Sequence, residues 1–231
     1  VSVNQEDEIK VTGPNAEGLI RALDAIMSEY SLRAESDETT QRESRYLDSV
    51  RGTLSAAGIG LRVRVGRGEV FGLWTAKVRD RVESGRFLSV EVQEGGDYRT
   101  IPSPLAAGVR KLVGSDPLCE IARFITTRRA LDMVAPTGAR VEISLDEVEV
   151  EFPAPLHFYE MEIENRTATS ALLVDLGDCA VRTGLRYCVE NKLGRALGVG
   201  LGGDPDPRQA ALFLAACRGS GDPLVAPWSE G

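Results

Sequence analysis

The stretch Phe158-Tyr159-Glu160-Met161-Glu162-Ile163-Glu164 carries an acid at every second position, with Tyr159, Met161 and Ile163 between them. Side chains two residues apart share a face of a β-strand, so this segment reads as a strand with one acidic and one largely apolar face. The same period recurs elsewhere. Glu6-Asp7-Glu8-Ile9-Lys10-Val11 sets Glu6, Glu8 and Lys10 against Ile9 and Val11, and Leu61-Arg62-Val63-Arg64-Val65 sets two arginines against three aliphatics. Val141-Glu142-Ile143-Ser144-Leu145-Asp146 alternates aliphatics with two acids and a serine. One such strand describes an ordinary sheet with its charged face in water. Several, some acidic and some basic, describe strands that neutralise one another across a closed surface, with aliphatic faces turned outward under helices. That architecture is a β-barrel with a polar interior.

Outward from these segments, the sequence predicts a strand over 6–12, a helix over 16–32, and a polar loop over 33–45. Short strands follow at 46–50, 53–56, 60–66 and 70–80, then 86–93. Helices are expected over 105–113, 117–122 and 169–182, the last closed by Gly184, and strands over 123–133, 140–150 and 157–165. The order lacks regular β-α alternation, which favours an antiparallel α+β fold over a doubly wound sheet. Residues 1–197 form the expected barrel domain. Residues 198–231, rich in Gly, Pro and Asp, read as a peripheral tail with one short helix near 208–217.

A net charge of −8 argues against whole-molecule attraction to nucleic acid or an anionic membrane, so any anion site must be local. Cys119, Cys179, Cys188 and Cys217 contain no C-x-x-C pair, and the single His157 cannot supply a histidine-rich zinc site. No run approaches the ~20 apolar residues of a membrane span. VSVNQEDEIK lacks the basic-then-apolar pattern of a secretory signal, and the cytoplasm is the expected compartment.

A charged barrel interior is costly unless its charges pair, bind ions or stay wetted. A multiply charged phosphate with divalent cations satisfies both signs. Hard cations such as Mg²⁺ or Mn²⁺ prefer carboxylate oxygens, which makes Glu6, Glu8, Asp146, Glu160 and Glu162 the candidate metal ligands. Arginine forks and lysine point charges suit phosphate oxygens, and Lys10, Arg62, Arg64 and Lys77 are candidates to cradle the anion.

These segments resemble the CYTH family, the triphosphate tunnel metalloenzymes. Glu6-Asp7-Glu8-Ile9-Lys10 resembles its Glu-x-Glu-x-Lys signature. Tyr46-Leu47-Asp48-Ser49 and Leu61-Arg62-Val63-Arg64 resemble its Tyr-x-Asp-Thr and Leu-Arg-x-Arg passage. Leu73-Trp74-Thr75-Ala76-Lys77, Leu145-Asp146-Glu147-Val148 and Asn191-Lys192-Leu193-Gly194-Arg195-Ala196-Leu197 continue the match, which spans about residues 6–197. The resemblance implies an antiparallel tunnel, divalent metal, and a triphosphate-containing small molecule as ligand, with a homodimer unsurprising. It adds Arg128 and Lys192 to the phosphate-binding set, with strand parity choosing Arg128 over Arg129 and a bulge able to exchange them. It points to Lys10 and Lys192 as the basic residues nearest the chemistry.

The chain departs from the family pattern in two places: Ser89-Val90-Glu91-Val92-Gln93 lacks an Arg-x-Glu-x-Glu, and Thr126 replaces a lysine. The thiamine-specific branch carries a tryptophan two residues before the Arg-x-Arg pair, where this chain has Gly60. Inorganic triphosphate is therefore the expected substrate. A class IV adenylyl cyclase, or a phosphate-polymer or nucleotide-binding barrel without turnover, are the alternatives.

Overall fold

The computed structural model describes residues 2–66, 68–83, 85–198, 206–219 and 222–227. In chain order the elements are β1 (Ser2–Gly13), α1 (Ala16–Tyr30), β2 (Arg33–Ser49), α2 (Thr53–Ala56), β3 (Ile59–Gly66), β4 (Phe71–Glu83), β5 (Arg86–Asp97) and β6 (Thr100–Ile101). Then come α3 (Ser103–Val113), β7 (Leu118–Val134), β8 (Arg140–Phe152), β9 (Leu156–Asn165), α4 (Ser170–Arg182), β10 (Arg186–Tyr187), α5 (Lys192–Leu197), α6 (Pro207–Ala216) and β11 (Leu224–Val225).

Eight antiparallel strands close a barrel in the order β1-β5-β4-β3-β2-β7-β8-β9, with β9 returning to β1. β1 makes the closure by changing partners along its length. Ser2–Ile9 pair with β5 and Glu8–Gly13 pair with β9, while β10 adds to Val11 and Thr12.

The two larger apolar cores lie outside this barrel, as the alternation requires. Leu19, Leu23 and Ile26 of α1 and Leu173 and Leu176 of α4 bury Ile9, Val11, Met161 and Ile163 on the outer faces of β1 and β9. Asn15 caps α1, its side-chain oxygen accepting from the Gly18 amide at 2.9 Å. Around the barrel, Leu105, Val109 and Phe213 cover Leu61, Val63 and Trp74. A third, smaller cluster lies inside the barrel, where Leu193 and Ala196 of α5 pack with Tyr46, Phe124 and Phe158, and Tyr46, Phe124 and Leu193 also line the cavity.

Three local expectations are corrected. The polar loop expected over 33–45 belongs to the 17-residue strand β2. Its inward row of Glu38, Thr40, Arg42 and Ser44 faces the tunnel and its outward row faces water, so no apolar alternation marked it. Residues 53–56 form the helical turn α2, because buried Asp48 accepts from the amides of Ser49, Leu54 and Ser55 at 2.7–2.8 Å. The helix expected over 117–122 is the start of β7, paired with the end of β2.

The 198–231 segment contributes to the core among its described residues. Phe213 is fully buried, and β11 pairs with β6. Gly108 of α3 allows this approach, since a Cβ there would stand 2.7 Å from the Cys217 sulfur. Trp74 is likewise a core residue, its indole nitrogen donating to the Asp97 carbonyl at 3.1 Å. Trp228 lies outside the described residues.

Candidate active site

The barrel encloses a cavity of about 750 Å³. Register explains who lines it. Across β1 and β9, Lys10 faces Glu162 and Glu8 faces Glu164, and across β7 and β8, Arg128 faces Asp146. Glu6, Glu8, Lys10, Arg62, Arg64, Lys77, Arg128, Asp146, Glu162 and Lys192 all reach the cavity.

On the β1, β8 and β9 side, charges are saturated by one another. Glu162 holds Lys10 at 2.5 Å, Lys192 at 2.5 Å, and Arg128. Arg128 also grips both oxygens of Asp146, at 2.7 and 2.6 Å, and Lys192 lies 2.9 Å from the same carboxylate. Lys77 bridges Glu8 at 2.5 Å and Glu6. Burial alone would lower the Lys10 pKa, but Glu162, Glu8 and Glu160 outweigh it and hold the ammonium well above its usual range. Burial would likewise raise Glu162, yet Lys10, Lys192 and Arg128 keep it well below the carboxylate range.

The β3 side differs. Arg62 donates to the Tyr46 hydroxyl at 3.2 Å and stands 3.7 Å from Glu91, while its buried Nε has no hydrogen-bond partner. Arg64 makes no hydrogen bond or ion pair among the described residues. Its pKa is pushed down to about 9, first by neighbouring Arg62, then by burial, then by Arg128. It is still charged at neutral pH, and the shift records repulsion that Tyr46 and Glu162 offset only in part.

The structure also assigns residues that sequence reasoning left aside. Glu91, Glu142 and Glu164 line the cavity. One Glu91 oxygen is buried without a hydrogen-bond partner, with Arg62 and Lys77 3.7 and 4.0 Å away. Burial, with Glu6, Glu142 and Glu8 nearby, pushes Glu164 up to about 8 despite Arg166. Parity was the available signal for all three. Thr126 lines the cavity where the family lysine is absent, and Ser89 hydrogen-bonds Glu6 at 3.1 Å. Arg128 occupies the tunnel, whereas Arg129 pairs with Asp37 on the outside. Glu160 stands apart from the other expected residues. It is 1% exposed and is not part of the cavity wall.

Glu147, Glu149 and His157 bring metal-ligating atoms within 4.8 Å of one another, but all three are exposed on the outer face. The four cysteines are free thiols, and no helix among the described residues is long and apolar enough to cross a membrane.

The tunnel residues suit a hard divalent cation. The donors are carboxylate oxygens, and the Glu91 oxygen that accepts no hydrogen bond is a buried group that a cation would satisfy.

No curated protein matches the chain. Among solved structures it is similar to HpAC1 from Hippeastrum, a candidate adenylyl cyclase described as revealing a dominant triphosphatase activity. Identity is 19% over 82% of this chain and 93% of that one, with a TM-score of 0.58. A candidate adenylate cyclase from Bacillus halodurans is similar at 17% identity over 84% and 98% of the two chains, with a TM-score of 0.52. At these identities the likeness is one of fold. The CYTH domain matches residues 4–196, nearly the whole barrel and its α5 cap, and the chain belongs to the CYTH domain family.

Proposed function

We propose that this chain hydrolyses a triphosphate, with inorganic triphosphate as its substrate and Mg²⁺ or Mn²⁺ as its cofactor. The supporting observation is the β3 wall, where Arg64 and the Arg62 Nε lack hydrogen-bond partners among the described residues, while Lys10, Lys77, Arg128 and Lys192 in the same cavity are paired with carboxylates. A polyphosphate anion supplies the missing acceptors, in the forked geometry that guanidinium groups favour.

Arg62 and Arg64 bind and orient the non-bridging oxygens. Lys10, Lys77, Arg128 and Lys192 line the same cavity and stabilise charge that builds on phosphoryl oxygens as the bridging bond lengthens. A water oxygen adds to the terminal phosphorus, the bridging P–O bond breaks, and orthophosphate and pyrophosphate leave. Glu6, Glu8 and Glu162 would hold the divalent ion, with Asp146, Glu91 and Glu164 beside them. When bound, it supplies Lewis-acid neutralisation of the phosphate charge. Gly60 offers no side chain on which a base could stack, which supports the inorganic anion over a nucleotide.

The test is an incubation of the full chain with triphosphate or ATP, with Mg²⁺, Mn²⁺ or EDTA. Metal-dependent orthophosphate release from triphosphate is expected. Cyclic AMP and pyrophosphate from ATP, without orthophosphate from triphosphate, would identify a cyclase. Tight triphosphate binding without product would identify a binding barrel.

A further inference from the structure

At position 126 the wall of β7 carries a hydroxyl where the family pattern carries a lysine, and the Thr126 side chain lines the cavity. The register sets Arg42 of β2 directly across from it, and Arg42 lines the same cavity. Residues directly opposite each other on antiparallel strands have Cβ atoms about 4.5–5.5 Å apart, so a cation on either one reaches the same part of the tunnel.

On its other side Arg42 faces Gly66 of β3, so neither cross-strand neighbour has a long side chain to crowd the guanidinium. The pairs Ser44–Arg64 and Thr40–Arg128 place Arg42 diagonally between Arg64 and Arg128, at the usual cross-strand diagonal of about 7–8 Å. Arg128 is committed to Asp146 and Glu162. Among the described residues Arg42 makes no hydrogen bond or ion pair, although Glu38 lies on the same inward row and the Glu69 carboxylate is folded over Gly66. An unpaired arginine on an outer face is ordinary. This one lines the tunnel beside Arg64, which also has no partner, and next to the position that lacks its lysine.

We infer that Arg42 supplies, from β2, the phosphate-binding cation that β7 lacks at Thr126: the charge has crossed one strand pair instead of being lost. Its guanidinium donates to non-bridging phosphate oxygens and continues the run begun by Arg62 and Arg64. Arg42 binds and transfers no proton. The inference rests on the triphosphate reading, and it makes a demand that reading does not make, namely that a cation at 126 can stand in for one at 42.

The experiment measures kcat and KM for triphosphate with Mn²⁺, and the melting temperature, in the full chain and in Arg42→Ala, Arg42→Gln, Arg42→Lys, Arg42→Ala with Thr126→Lys, and Arg21→Ala. The last removes one exposed positive charge from the outer helix α1 and controls for net charge. Arg42→Ala and Arg42→Gln are expected to raise KM about tenfold, Arg42→Lys to keep it within about threefold, and Arg21→Ala to move it less than twofold. Adding Thr126→Lys to Arg42→Ala should return KM to within about threefold of wild type. A KM in Arg42→Ala equal to that in Arg21→Ala overturns the inference alone, as does a double variant that melts like wild type and keeps the KM of Arg42→Ala. Where Thr126→Lys lowers the melting temperature, Arg42→Lys against Arg42→Gln decides, and equal KM values in those two overturn it. A wild-type chain that turns over no triphosphate overturns the proposed function and this inference with it.

Discussion

The acidic wall of β1, β8 and β9 and the arginine wall of β3 face one cavity but balance their charges differently. On the first, Glu162 serves three cations and Asp146 two. On the second, among the described residues, Arg64 makes no hydrogen bond or ion pair and Arg62 has one nitrogen left over. The first wall holds itself together without a ligand. The second carries repulsion that Tyr46 and Glu162 offset only in part and that a bound anion would reduce, so on the proposed reading one wall sets geometry and the other recruits substrate.

Removing charge from each wall should therefore have opposite effects on stability. Glu162→Gln leaves Lys10, Lys192 and Arg128 facing one another in a buried site. It is expected to lower kcat for triphosphate about 100-fold or more and to destabilise the fold by about 3 kcal/mol, read by denaturant titration. Arg64→Ala should raise the triphosphate KM about 10- to 100-fold, the worth of one charged hydrogen-bonding group. Its melting temperature should be equal to or above wild type, because the repulsion from Arg62 and Arg128 is gone. A lower melting temperature in Arg64→Ala would erase the distinction between the walls.

A smaller effect separates them by pH. Glu164 titrates near 8 in the folded chain and near the ordinary carboxylate value when unfolded. Between those values the folded state binds the extra proton, so raising pH across roughly 5 to 8 removes stability through this group. Wild type should lose stability over that window relative to Glu164→Gln, and Mn²⁺ should reduce the difference. On the opposite wall, Arg64 has a folded pKa near 9, and triphosphate affinity should weaken as pH rises through it.

The walls were also unequally legible in the sequence. β1, β3 and β9 alternate charge with aliphatics, so parity alone located Glu6, Glu8, Lys10, Arg62, Arg64 and Glu162. β2 could not be read that way, because both of its rows are polar between Glu35 and Arg42 and only pairing with β7 makes it a strand. Glu91 was hidden by attention to what its segment lacked, although its parity matches Ser89. Lys192 lies on a six-residue helix with no periodic signal of its own, and only the family resemblance pointed to it. Occupancy was not legible at all. Nothing in Glu160-Met161-Glu162-Ile163-Glu164 says that the first acid is tied to Cys188 and Lys192, because those partners arrive from another part of the chain.

The most direct measurement is a crystal structure of the full chain with triphosphate and Mn²⁺. The account predicts phosphate oxygens within hydrogen-bond distance of Arg62 Nε and the Arg64 guanidinium, with Mn²⁺ against Glu6, Glu8 and Glu162. Triphosphate lying outside the barrel, with Arg64 still unpartnered, would contradict it.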